Sequence, residues 1–373
     1  MGHTPGVRVL ICPDKFAGTL SAPEVAEAVI EGWSGDDELI SRPIADGGPG
    51  FVEVLAGSLG GRRIPVDTVD PLGRPVPGEV LLVGSTAYVE SAQACGLHLL
   101  TREERDPNTT SSYGLGLLLL AAVEAGAAEV VIGLGGSATN DAGAGMLAAL
   151  GAPPVDVAGY ALPYGGAYLN AAASLGGVPM LRQVSLIAAT DVDNPLTGLH
   201  GASKIFGPQK GASEEDVYRL DAALEQFAGV LERAFDLTDL EVAPGGGAAG
   251  GIGAALIALG GRVVSGIGLV STAIGLEKEL GAADLVITGE GSFDHQSLRG
   301  KVVAGIAGGA RDRGLPCVVL CGRNETGFRE AAAAGVTETY SLTEHFGSEE
   351  TAMREPARGL RELSARLASQ WSR

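Results

Sequence analysis

Both ends of the chain repeat one pattern: a short β-rich run that stops at Gly or Asp, followed by helical signals. At the front, residues 7–12 (VRVLIC) form such a run. Ser21-Ala22-Pro23-Glu24 then has the Ser-to-Glu spacing of a capping box, opening a helix to about Trp33. A second run at about 38–44 meets Asp46-Gly47-Gly48, and a helix is expected from about Gly50 to Leu59. At the back, residues 284–288 (DLVIT) read as a buried strand ending in Gly289-Glu290-Gly291. A helix at about 301–313, a strand at 316–321, a helix at about 325–334, a strand at 337–342 and a long last helix follow. Strands separated by helices pair in parallel, because each crossover returns the chain to the same end of the sheet. Two strands from the front and three from the back predict one doubly wound sheet. Its ligands would bind beyond the carboxyl ends of the strands.

The middle of the chain reads differently. Residues 62–90 hold β-rich runs broken by Asp70-Pro71-Leu72-Gly73, a hairpin signal. Next come a helix at about 112–125, a strand at 129–134, a Gly-rich turn and a helix through 150. A strand at 184–190 and a Gly-rich helix at about 247–260 follow. The fold class is therefore α/β with two α/β domains. A discontinuous domain of residues 1–65 and 281–373 carries an inserted mixed-sheet domain of residues 66–280.

Composition narrows the function classes. A net charge of −19 argues against nucleic-acid and anionic-membrane partners, both of which need a cationic face. Among 26 basic residues, Lys15, Lys204, Lys210, Lys278 and Lys301 are the only lysines. Where Arg is the default cation, a retained Lys is a candidate point charge in a site. Cys12, Cys95, Cys317 and Cys321 lack metal-ligand or redox spacing and read as free thiols. The first residues show no export signal, the apolar run at 114–123 is too short to span a bilayer, and a cytoplasmic location is expected.

Four segments pair a strand end with small residues and charge: residues 13–20 (PDKFAGTL), 45–48 (ADGG), 133–145 (GLGGSATNDAGAG) and 288–301 (TGEGSFDHQSLRGK). The third offers backbone N–H groups to an anion, with Ser137, Thr139 and Asn140 as further donors. It lacks the Lys-Ser/Thr of a Walker A loop, and its Gly133-x-Gly135-x-x-Ala138 spacing is a loose dinucleotide pattern.

With further blocks, these segments carry a resemblance. They are joined in order by Glu90-Ser91-Ala92, Asp191-Val192-Asp193-Asn194, Phe206-Gly207-Pro208-Gln209-Lys210-Gly211-Ala212 and residues 244–253. The chain resembles the bacterial class I glycerate kinases over essentially its full length. That resemblance implies one flavodoxin-like domain and phosphoryl transfer from ATP, with Mg²⁺, to D-glycerate, 2-phosphoglycerate being the favoured product. Two positions depart from the family pattern: Ala17 stands where a Lys is usual, and Pro49 where an acidic residue is usual.

Phosphoryl transfer needs positioning and charge neutralisation more than covalent chemistry. Asp46 is assigned as the acceptor of the glycerate hydroxyl proton, with Lys210 and Lys301 neutralising phosphate charge. Asp14, Lys15 and Arg299 are assigned to the substrate, Lys15 making up for Ala17. Gly135, Gly136, Ser137, Thr139 and Asn140 are assigned to the nucleotide, and Asp191 and Glu290 to Mg²⁺. The partners are then small molecules, with the oligomeric state open. Two alternatives remain. An NAD-dependent hydroxy-acid oxidoreductase would need Asp156 to hold a ribose, and a catalytically impaired binding or regulatory homologue would be marked by the Ala17 and Pro49 departures.

Overall fold

The structure is a computed structural model that describes residues 6–181, 184–295, 297–298 and 302–372. In chain order its strands are β1 (Arg8–Ile11), β2 (Glu38–Ser41), β3 (Arg62–Val69), β4 (Pro75–Val83), β5 (Thr86–Glu90) and β6 (Glu129–Gly133). They continue as β7 (Pro154–Val155), β8 (Ser174–Leu175), β9 (Ser185–Ala189), β10 (Arg262–Val264), β11 (Leu285–Phe293), β12 (Cys317–Asn324) and β13 (Glu338–Ser341). One compact unit comprises Met1–Asp46, Glu53–Ser58 and Ile267–Arg373; the other comprises Gly47–Val52 and Leu59–Gly266.

These bounds differ from the expected 65/66 and 280/281. β3 falls in the second unit, where it pairs with β4 along its whole length. The helix Leu276–Leu280 falls in the first, where the buried Glu279 carboxylate accepts hydrogen bonds from Arg8 at 3.1 Å and Arg42 at 2.7 Å.

In the first unit the sheet order is β2-β1-β11-β12-β13, every neighbour parallel. With the strands counted along the chain this is 2-1-3-4-5, the flavodoxin-like order. The Ser21 amide donates to Glu24 at 2.7 Å and opens the helix Ala22–Gly32, as its spacing predicts. β11 runs on through Gly289, Glu290 and Gly291 instead of turning there. A Cβ on Gly289 would lie 2.0 Å from the Leu320 carbonyl oxygen, and one on Gly291 would lie 3.1 Å from the Ala17 nitrogen. These glycines admit close neighbours, which local sequence alone reads as a turn.

The second unit holds a mixed sheet in the order β10-β9-β6-β5-β4-β3. β3, β4 and β5 are antiparallel neighbours, and β5, β6, β9 and β10 are parallel ones. The hairpin signal at Asp70 is realised: its carboxylate accepts from the Leu72 and Arg74 amides, both at 2.9 Å. The helix Glu214–Phe235, absent from the sequence reading, buries Leu220, Leu224, Phe227 and Leu231 on one side and is capped by the Ser213 hydroxyl. Among the described residues, no helix is long and apolar enough to cross a membrane.

The helix Pro356–Trp371 crosses Ala22–Gly32 at close range, with the Ser364 hydroxyl donating to the Val29 carbonyl at 2.5 Å. A Cβ on Gly32 would stand 2.3 Å from the Arg361 carbonyl oxygen. Gly32→Ala is expected to destabilise the protein by about 1–3 kcal/mol, as overpacking does, and thermal unfolding monitored by circular dichroism checks it.

Candidate active site

Several strands of the first unit end on one cavity of about 390 Å³. Asp14 and Lys15 follow β1, Asp46 follows β2, Glu290 and Ser292 come from β11, Gly322 and Arg323 from β12, and Thr343 follows β13. The cavity lies where strand order reverses between β1 and β11, the position at which doubly wound sheets bind ligands. The loop after β1 is held to β11 by backbone bonds, Cys12 donating to Ile287 and Asp14 to Gly289, both at 2.8 Å. It then closes on itself, the Phe16 amide donating to Leu20 at 2.8 Å, with Gly18 in the left-handed region at φ 79°.

The cavity is rich in carboxylates. Burial pushes the Asp14 carboxyl up to about 6; Lys15 opposes that rise and the neighbouring Asp46 adds to it. One Asp14 oxygen accepts from the Lys15 amide at 2.7 Å and stands 3.6 Å from the Lys15 ammonium. Asp14, raised to about 6 beside the Lys15 ammonium, can hold or release a proton near neutral pH. Arg323 adds a second cation to the lining, paired with Glu325 at 3.0 Å.

The second unit contains the Gly-rich turn at 133–145. Its only open backbone between 135 and 140 is at Gly135 and Gly136, while Ser137, Thr139 and Asn140 are buried. A Cβ on Gly135 would lie 2.7 Å from the Gly48 Cα, so the Gly47-Gly48-Pro49 segment packs directly against the turn. The Asp141 carboxylate, fully buried, accepts from the amides of Ser112 and Gly145 and from the Ser112 hydroxyl. Lys210 is 2% exposed, and its ammonium donates to the Thr139 carbonyl at 2.7 Å and to the Ser137 hydroxyl at 3.1 Å.

Residues 9–372 match the model of the glycerate kinase family. This chain belongs to that family. It is 40% identical over 375 residues to the glycerate 2-kinase of Escherichia coli K12, covering 97% of this chain and 98% of that protein. Against a glycerate kinase of Bacillus subtilis 168 it is 39% identical, with 90% of each chain covered. A crystal structure from Salmonella typhimurium LT2, assigned provisionally as glycerate kinase 2, superposes with a TM-score of 0.79 at 38% identity over 98% of each chain. The chain is accordingly a kinase.

For a glycerate kinase, the structure joins some of the residues singled out by sequence. Asp14, Lys15, Asp46 and Glu290 line one cavity of the first unit. Gly135, Gly136, Ser137, Thr139, Asn140 and Lys210 meet in the second. Lys210, assigned from sequence to phosphate charge, is among the largest fully buried side chains, with Ser137 and Thr139 supplying its acceptors. Asp191, in the second unit, accepts from the Ser265 hydroxyl at 2.6 Å. Arg299 and Lys301 lie outside the described residues.

The two departures from the family pattern now have places. Ala17 is exposed on the cavity lining two residues from Lys15, and Pro49 fills the space beside Gly136, whose Cβ would meet its ring at 3.0 Å. Asp156 turns its carboxylate onto the amides of Ala158 and Tyr160, both at 2.9 Å, closing its own turn rather than a ribose site. Sequence reasoning missed Arg323 and Thr343, which follow ordinary strand residues and carry no local motif. Among the described residues, no group of three or more His, Cys, Asp or Glu is placed to hold a metal ion by itself.

A carboxyl raised to about 6 in the folded state binds its proton more tightly there than in the unfolded chain. Its stabilising contribution is complete below the ordinary Asp range near 4 and is lost as pH rises through about 6. Asp14→Asn removes that loss. The variant is expected to melt roughly 2–6 °C above the parent at pH 8 and level with it at pH 4, as read by calorimetry at the two pH values.

Proposed function

We propose that this kinase transfers the γ-phosphoryl group of ATP to the 2-hydroxyl of D-glycerate. The observation that carries this reading is the crowding of Asp14 and Asp46 beside Lys15 at the switch point of the sheet. The carboxylate pair takes the proton from the attacking hydroxyl, while the Lys15 ammonium, with Arg323 on the same lining, holds the carboxylate of glycerate. Protonation of Asp14 gives the pH profile its acid limb. The 2-hydroxyl is favoured by the likeness to the E. coli protein named glycerate 2-kinase.

The oxygen donors of the cavity suit Mg²⁺, which prefers one or two carboxylates together with phosphate oxygens and waters. Glu290 and Asp191 are the carboxylates assigned to hold it; Glu290 lines the cavity, while Asp191 accepts from the Ser265 hydroxyl in the second unit. Bound Mg²⁺ would neutralise phosphate charge. Gly135 and Gly136, the residues of the second unit's turn that reach the surface, are assigned to the nucleotide phosphates, because exposed backbone N–H groups bind anions.

ADP release with Mg-ATP tests the reading directly. D-glycerate should support turnover, L-glycerate and lactate far less, and glycerol hardly at all, since it lacks the carboxylate. Phosphorus NMR of the product should show 2-phosphoglycerate; a dominant 3-phospho signal would refute the assigned position. kcat/KM should fall as pH drops below about 6, the range to which Asp14 is raised.

Lys15→Ala should raise the glycerate KM roughly 10–100-fold, the loss of one charge-assisted hydrogen bond. Ala17→Lys in that background should recover much of it, because both positions line the same cavity. An unchanged KM in the single variant would remove Lys15 from the site.

A further inference from the structure

Burying an ammonium costs several kcal/mol unless its surroundings repay it, so a fully buried Lys in a chain with few lysines calls for a reason. Of the other described lysines, Lys15 borders the first unit's cavity, Lys204 lies 5.0 Å from the centre of the Tyr218 ring, and Lys278 is exposed on a short helix. Only Lys210 among these is enclosed, and it bonds to two residues of one turn some 70 positions away in sequence.

The Thr139 carbonyl and the Ser137 hydroxyl flank Ala138, whose own amide donates to Cys95 at 2.7 Å. The ammonium therefore grips the turn immediately after its open glycines. Lys210 itself is held by the turn of Pro208–Lys210, followed by Gly211 in the left-handed region at φ 99°. A Cβ on Gly211 would lie 2.2 Å from the Arg105 carbonyl oxygen, so that segment packs closely against the Arg105 backbone. Within the turn, the Thr139 hydroxyl and the Asn140 side-chain amide oxygen are buried without hydrogen-bond partners. Left to itself, such a turn would relax to satisfy them.

We propose that Lys210 is a positioning residue of the kinase reaction: from inside the second unit it pins Ser137 and Thr139, holding the Gly135-Gly136 backbone open for nucleotide phosphate. It does so without touching the phosphate. The inference rests on the assignment of that backbone to the nucleotide. Asp141 and Cys95 are the titratable groups that face it, and burial keeps the Cys95 thiol protonated. Burial pulls Lys210 down to about 7, and the Asp141 carboxylate opposes that pull.

Lys210→Met keeps the volume and removes the donors. It is expected to fold with a Tm equal to or above the parent's, as replacement of a buried charge by an apolar isostere often gives. It should lose roughly 10–100-fold in kcat/KM for ATP and leave the glycerate KM within about twofold. Ser137→Ala, which deletes one of the two acceptors and adds no bulk, should move the ATP parameters in the same direction by roughly 2–10-fold and decides the matter if Lys210→Met does not fold. Unchanged ATP kinetics in a folded Lys210→Met, or in Ser137→Ala if the first variant is lost, would overturn the proposal. A rise confined to the glycerate KM would do so as well. The parent protein assayed alongside keeps the two readings apart: failure to release ADP with D-glycerate sinks the functional assignment, whereas normal parent turnover with unaltered variants sinks the positioning role alone.

Discussion

The parallel pairing of Val9, Leu10 and Ile11 with Leu285, Val286 and Ile287 joins segments 276 residues apart, and the first unit's site depends on it. The strand order reverses on either side of this pairing, so the loops after β1 and β11 diverge and leave space between them. The Thr288 hydroxyl donates to the Cys12 carbonyl at 2.8 Å, and the Asp14 amide donates to the Gly289 carbonyl at 2.8 Å, holding the start of the β1 loop against β11. Gly289 and Gly291 allow β12 and the Phe16-Ala17 backbone to lie against β11 where any side chain would push them off. A small displacement there would separate Asp14 from Glu290 on the same lining.

Electrostatics sets the character of the two units differently. The first collects carboxylates at its cavity and leaves Lys15 and Arg323 as the cations among the described lining residues. An acidic protein that handles acidic substrates needs such local concentration of cations, and the acids beside them are then available for proton transfer. The second unit does the reverse, enclosing one ammonium under a turn of small residues. Both arrangements are costly in isolation, and groups held at such cost are commonly found where function requires them.

Much of this was legible beforehand, for physical reasons that can be traced to residues. The alternation of apolar runs with Gly and Asp marks the ends of β1 and β2, so Asp14 and Asp46 read from sequence as lying just beyond carboxyl ends of strands, whereas Glu290 sits within the longer β11. The scarcity of Lys pointed to Lys15 and Lys210, because composition carries information when one residue type is avoided. The burial of Lys210 was hidden, since its acceptors on Ser137 and Thr139 come from a distant segment. β11 was cut short for the same reason: only the partner Leu320 shows why Gly289 is not a turn. The helix Glu214–Phe235 was different, for its Ser213-to-Asp216 cap and its apolar spacing are local, and the signal was there to be read.

The long separation between β1 and β11 also imposes an order on the birth of the protein. During synthesis β1 and β2 leave the ribosome early, and the strand that must flank β1 is made 276 residues later. At roughly 5–20 residues per second that is an interval of about 14–55 s in which one edge of an apolar strand has no native neighbour. The second unit's segments emerge throughout this time and contain their own complete sheet. The middle of the chain can therefore reach its native topology while both ends wait. The flavodoxin-like unit is completed only after β11 is made, and until then the edge of β1 that pairs with it stays open.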